Sequence, residues 1–169
     1  LAATPSETCM ARLRAQAGED IAEALVLAAI RETWEETGLL LGTPDDSARS
    51  EDVPADWRGF FDEGLRPSGE GLRFVFRAIT PPGRPRRFDA RFFLADAAKI
   101  VGDPDDFSRA SDELSHLQWA PLSSIREFDL PFITEVVLAE VQALLGESGP
   151  PPSVPFFRHE LGRSRFERL

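Results

Sequence analysis

The sequence predicts an α/β (α+β) fold, with helices packed on a mixed β-sheet. Three patterns carry that expectation. Residues 20–37 place apolar side chains at helical spacing and stop at Gly38. Residues 72–79 and 88–94 alternate with a period of two around the turn-rich run Thr80-Pro81-Pro82-Gly83-Arg84-Pro85. Residues 131–145 read as a further helix with Pro131 near its start.

In chain order, residues 6–16 form a short helix with Cys9, Met10 and Leu13 near one face. Gly18 breaks it, and the long helix follows from Asp20. Residues 43–55 are a polar loop rich in Pro, Asp and Ser, and residues 56–63 a short helix carrying Trp57, Phe60 and Phe61. Leu72, Phe74, Phe76 and Ala78 then alternate with Arg73, Val75, Arg77 and Ile79. Phe88, Ala90, Phe92 and Leu94 alternate with Asp89, Arg91 and Phe93, so the two runs are expected to form an antiparallel hairpin. Residues 102–111 are a polar loop, and residues 114–119 a further strand with Leu117 and Trp119 facing inward. Pro121 opens a helical turn. The domain is expected to span residues 1–149, with residues 150–169 a Pro-rich linker and a basic C-terminal tail bearing Phe156, Phe157 and His159.

The chain has 169 residues, enough to bury a sizeable core. Its 42% hydrophobic and 28% charged residues exclude a fibrous or wholly disordered protein. No apolar run approaches the ~20 residues of a bilayer span, so no membrane partner is expected. One cysteine, Cys9, excludes an internal disulfide framework and a cysteine-built zinc site. A reducing, cytoplasmic setting fits that usage.

The net charge is −10, unevenly spread. Residues 1–57 carry 4 basic and 12 acidic groups, and residues 58–100 carry 9 and 5. A nucleic-acid backbone binder normally carries net positive charge, so nucleic acid is not the expected partner. Acid beside base suits a small anionic ligand held through metal ions.

The most specific pattern lies between Glu23 and Leu39. On a helix, Arg31, Glu32, Glu35 and Glu36 fall within about 140° of one another. Val26, Ile30 and Trp34 fall on the opposite side, a core-packing stripe. Glu32 and Glu36 are a like-charge pair at i,i+4, costing roughly 0.2–0.5 kcal/mol, and Arg31 with Glu35 returns a similar amount. A structural helix gains nothing from gathering these carboxylates. A hard divalent cation does, because Mg²⁺ takes oxygen ligands and substrate phosphates. A solvated acidic face is the alternative, and Glu23 at Asp20-x-x-Glu23 also fits a capping box.

The full string resembles the Nudix box, G-x5-E-x7-R-E-U-x-E-E-x-G-U, where U is bulky and apolar. Glu23, Arg31, Glu32, Glu35, Glu36, Gly38 and Leu39 match at the right spacing. Thr33 stands where an apolar residue is usual, and Ala17 where the leading glycine belongs. The segments around Ala78-Ile79-Thr80-Pro81-Pro82-Gly83, residues 86–94 and Leu117-Gln118-Trp119 resemble a bacterial subgroup related to the coenzyme A-cleaving, peroxisomal-type Nudix proteins. Nothing before Asp20 reads as a strand, so the first strands and the glycine pair are expected to be absent from this sequence.

The resemblance implies an α/β/α sandwich. It also implies a Mg²⁺- or Mn²⁺-dependent hydrolase that cuts the pyrophosphate of a nucleoside diphosphate linked to another moiety, a coenzyme A derivative being one candidate. Glu35 and Glu36 would be the main metal ligands, and Glu32 a further ligand or the base that activates water. Arg31 would hold a glutamate in place, and Glu23 would be an outer ligand. Glu113 sits where such proteins often bring in another carboxylate. Arg86, Arg87 and Arg91 are candidate phosphate contacts, with solvated strand-end arginines as the alternative. The partner is then a small nucleoside diphosphate derivative, with a second copy of the chain as a further candidate, a homodimer. The competing reading is a nucleotide-sensing module without turnover.

Overall fold

The computed structural model describes residues 1–17, 19–160 and 162–169. The break expected at Gly18 lies outside them, as does the Asp20 side chain of the capping reading. The chain divides into two compact units, residues 1–72 with 95–119 and residues 73–94 with 120–169. Among the described residues it is a mixed α+β protein with two sheets and several helices, as expected for a Nudix-type fold.

In the first unit, α1 (Glu7–Ala17) packs on α2 (Glu19–Thr37). Their contact is apolar because Cys9, Met10 and Leu13 of α1 and Ala22, Val26 and Ile30 of α2 are buried. Ala22, Val26 and Ile30 are spaced i, i+4, i+8, a single stripe along the helix. Trp34, expected to complete that stripe, is only half-buried and turns its ring edge to Phe60 at 5.8 Å. Thr33 replaces an apolar contact with a back-bond from its Oγ1 to the Ala29 carbonyl, 2.8 Å.

α2 stops because Gly38 is left-handed, φ 76°, and its N–H reaches the Trp34 carbonyl at 2.8 Å. The apolar run after it becomes β1 (Leu40–Pro44), paired antiparallel with β2 (Leu65–Pro67) and later with β5 (Ile100–Val101). The short helix lies where expected, as a 3₁₀ turn over Ala55–Trp57 followed by α3 (Arg58–Asp62).

The strand expected over 114–119 is not formed. His116 takes φ 59°, which breaks an extended run, and Leu114 and Trp119 are exposed. Trp119 instead donates its indole N–H to the Pro104 carbonyl, 3.0 Å, beside Phe107.

The second unit is built on β3 (Arg73–Ile79) and β4 (Asp89–Leu94), the expected antiparallel hairpin. Phe74 pairs with Phe93 but Phe76 with Phe92, so Val75 is the extra residue of a bulge. The bulge resets the alternation, and Val75 and Phe76 both enter the core with Ala78, Val137, Val141 and Phe157. α4 (Phe132–Ala143) presents Val137 and Val141 to that core, one turn apart.

The segment read as a basic tail forms two strands, β6 (Pro155–Glu160) and β7 (Arg163–Arg168). β6 runs parallel to β3, Arg77 facing Phe156 and Ala78 facing Phe157, so the sheet order is β4-β3-β6-β7. Val154, Phe156 and Phe157 are buried there. The apolar surface they bury is the physical reason the segment is ordered.

Candidate active site

α2 sets the register of the carboxylates. Glu32 is exposed, and Glu35 and Glu36 are half-buried on the same helix. A second segment joins them. The Ser111 N–H donates to the Glu35 carbonyl at 2.8 Å, and the Glu113 N–H contacts Ser111 Oγ at 3.4 Å. That docking brings the Glu113 charge within reach of Glu36. Burial, reinforced by Glu32, Glu113 and Glu35, pushes the Glu36 carboxyl above the usual carboxylate range.

The helix end makes this docking close. A Cβ on Gly38 would lie 3.0 Å from the Ala110 nitrogen and from the Arg109 carbonyl carbon and Cβ. Only the bare glycine lets the 109–113 segment approach.

Arg31 lies within ion-pair distance of two helix glutamates, Glu32 and Glu35, as the resemblance implied, but its shortest contact is a third acid. Its Nη1 donates to Asp56 Oδ2 at 2.6 Å, whereas Glu32 and Glu35 lie at 3.5 and 3.7 Å. Partial burial alone would lower its pKa. Glu35 outweighs that, with the hydrogen bonds to Asp56 and Glu32, and the net shift is upward. Asp56 was missed because the signal in sequence is a single acid in a polar loop. Glu23 is exposed, its carboxylate 3.7 Å from the Leu1 amino nitrogen.

The three arginines fall in the second unit. Arg86 and Arg87 are exposed on the β3–β4 connection, and the Arg87 Nε donates to the Thr80 carbonyl at 3.2 Å. Arg91 is committed instead to Asp89, at 3.0 Å. Burial and then the neighbouring Arg77 lower its pKa, against the pull of Asp89. Arg77 itself binds Asp89 through two nitrogens, at 2.9 and 2.7 Å, and lies over the Phe156 ring at 4.3 Å.

The four carboxylates form an oxygen-only donor set, the type that hard divalent ions take. Among the described residues no three His, Cys, Asp or Glu side chains converge tightly enough to hold an ion.

A helix carrying this string, with a loop carboxylate docked beside it in an α+β framework, defines a Nudix-type hydrolase. The chain is 34% identical over 137 residues to a curated RNA pyrophosphohydrolase of Agrobacterium fabrum (strain C58 / ATCC 33970), covering 78% of this chain and 72% of that protein. The chain belongs to the Nudix pyrophosphohydrolase family and is an enzyme that hydrolyses pyrophosphate bonds. No protein-family profile and no solved structure matches it. No helix among the described residues is long and apolar enough to cross a membrane.

Proposed function

We propose that the carboxylate face of α2 binds Mg²⁺ or Mn²⁺ and cleaves the pyrophosphate of a small nucleoside diphosphate linked to another moiety. One observation supports the reading: Glu113, from a separate segment, lies near enough to Glu36 to raise that carboxyl's pKa together with burial, Glu32 and Glu35. Glu35 and Glu36 would hold the ion, with Glu113 beside them and Glu23 outside. Glu32, more exposed than Glu35 and Glu36, would take the proton of the attacking water or complete the ligand set. The ion supplies neutralisation of the diphosphate and a lowered pKa for bound water. Arg86 and Arg87 of the second unit keep their side chains exposed and remain candidates for anion contact, whereas Arg91 is occupied by Asp89.

Charge supports the proposed substrate class. A net charge of −10 disfavours a long phosphate backbone and leaves small diphosphates, coenzyme A derivatives among them, as the proposed substrates. The similarity to an RNA pyrophosphohydrolase supports a second reading, the phosphorylated 5′ end of an RNA. A cytoplasmic setting is proposed with either.

The test is product release from a coenzyme A derivative, ADP-ribose, a dinucleoside polyphosphate, a nucleoside triphosphate and 5′-triphosphorylated RNA, each with Mg²⁺, Mn²⁺ or chelator. Metal-dependent cleavage of a small diphosphate that is lost in Glu36→Gln is the expected result. Preference for the RNA selects the second reading. Full activity in chelator, or in Glu36→Gln, overturns the metal site.

A further inference from the structure

The partner of Arg31 is the least expected contact in the first unit. On an isolated helix its partner is Glu35, one turn on. In the structure its shortest contact is with Asp56, 25 residues further along the chain, at 2.6 Å, while Glu32 and Glu35 lie at 3.5 and 3.7 Å. Its Nε is buried and makes no hydrogen bond, although Glu35 Oε2 lies 3.7 Å away. A guanidinium is a rigid fork of five N–H donors. An Nε that faces a carboxylate without reaching it shows that the fork is held from its other end.

Asp56 holds that end because its own place is set by packing. Trp57, next to it, meets Phe60 edge-on at 5.5 Å and Phe61 at 6.2 Å. Phe60 is fully buried and meets Trp34 of α2 at 5.8 Å, their rings perpendicular. A Cβ on Gly59 would touch the Trp34 ring at 3.0 Å, so this segment lies hard against α2. The aromatic contacts fix the loop on the helix, and the arginine comes to the loop carboxylate.

We infer that Asp56 is a positioning residue of the carboxylate site: it holds the Arg31 guanidinium at ion-pair distance from Glu35 but short of a hydrogen bond, so that the oxygens of that glutamate stay available to a divalent ion. The inference rests on the metal-site reading above. Without Asp56 the fork closes on Glu35, and a fixed positive charge then competes with the ion for the same oxygens. Partners of this kind commonly change metal affinity or activity by about 10–100-fold. Solvent reaches both Asp56 and Arg31, which places the expected effect near the lower end, on the order of tenfold.

The test measures Mn²⁺ binding directly, from the electron paramagnetic resonance of free Mn²⁺, alongside the Mn²⁺ dependence of hydrolysis. Asp56→Ala should weaken Mn²⁺ binding by about tenfold and raise the half-saturating Mn²⁺ to match, with substrate KM at saturating Mn²⁺ unchanged. Asp56→Asn keeps an acceptor for Nη1 and should fall between Asp56→Ala and the wild type. In an Arg31→Gln background, or Arg31→Lys should that variant not fold, Asp56→Ala should add nothing. Wild-type Mn²⁺ affinity in Asp56→Ala overturns the inference. So does an equal loss in the Arg31 background, because Asp56 would then act through its charge alone. A wild-type protein that binds no Mn²⁺ fails earlier, at the metal site itself, and overturns both.

Discussion

Replacing Gly38 with alanine should destabilise the protein and disturb the site together. The residue is left-handed at φ 76°, a region that costs a non-glycine residue about 1–2 kcal/mol. The added methyl would also stand 3.0 Å from backbone atoms of Arg109 and Ala110. Those atoms are main chain, so relief requires moving the loop, an overpacking cost of about 1–2 kcal/mol. The sum is about 3 kcal/mol, which for a chain of this size lowers Tm by roughly 6–12 °C. The moved loop carries Ser111, bonded to the Glu35 carbonyl, and Glu113 beside Glu36. Turnover should therefore fall by more than the unfolded fraction explains. Asparagine tolerates the left-handed region but keeps the Cβ, so Gly38→Asn should lose less stability than Gly38→Ala while keeping the loss of turnover. Differential scanning calorimetry and hydrolysis assays on both variants provide the check. A Gly38→Ala protein within about 0.5 kcal/mol of wild type, the range of an unremarkable surface change, refutes the close-approach argument. Equal losses in the two variants refute the backbone part of it.

Three further outcomes are expected. The Glu36 carboxyl is held above its usual range by burial and three neighbouring carboxylates, so its ionisation opposes folding. That penalty is absent below the unfolded-state pKa, accumulates as pH rises from there to the raised folded-state pKa, and is complete above it. Without metal, Glu36→Gln should thus raise Tm at neutral pH and not in acid, and Mn²⁺ should stabilise wild type more than the variant; a pH-independent difference counts against the cluster. In the second unit, Asp89→Ala leaves Arg77 and Arg91 facing each other with little solvent, at 8% and 10% side-chain exposure. Losing the partner of a buried charge costs about 3–5 kcal/mol, discounted here to about 2–3 because Asp89 is 40% exposed. The Asp89 pKa is lowered because Arg77 and Arg91 outweigh burial, so this stability is present above the usual aspartate range and lost as pH falls through the lowered value. Urea titrations across pH should show that loss in wild type and not in Asp89→Ala. Finally, Phe76→Ala, in the core shared with Val137 and Phe157, should cost about 3–5 kcal/mol in urea unfolding; a cost under about 1 kcal/mol would show a core that closes over the gap.

What the sequence determined by itself was local. Val26 and Ile30 of the expected stripe opposite the glutamates, the β3–β4 hairpin and α4 all follow from periodicity within one segment, whereas Trp34, expected with them, is only half-buried. The string from Glu23 to Leu39 belongs to the same class, because a helix turns a fixed spacing into a shared face. The expected strand over 114–119 failed because alternation alone supplies no pairing partner, and a left-handed His116 interrupts it. Tertiary structure decided the rest. β6 joins β3 across nearly eighty residues, a pairing that only buried Phe156 and Phe157 make worthwhile. β1, β2 and β5 are too short to declare themselves in sequence and exist through one another. The same holds for the site. Its helix carboxylates are written in consecutive turns of α2, but the Glu113 segment docks through a backbone bond to Glu35, and Asp56 is carried beside Arg31 by edge-on aromatic contacts of Trp57, Phe60 and Trp34. Contacts between distant segments leave no period in the sequence, because their energy comes from surfaces that meet only once the chain has folded.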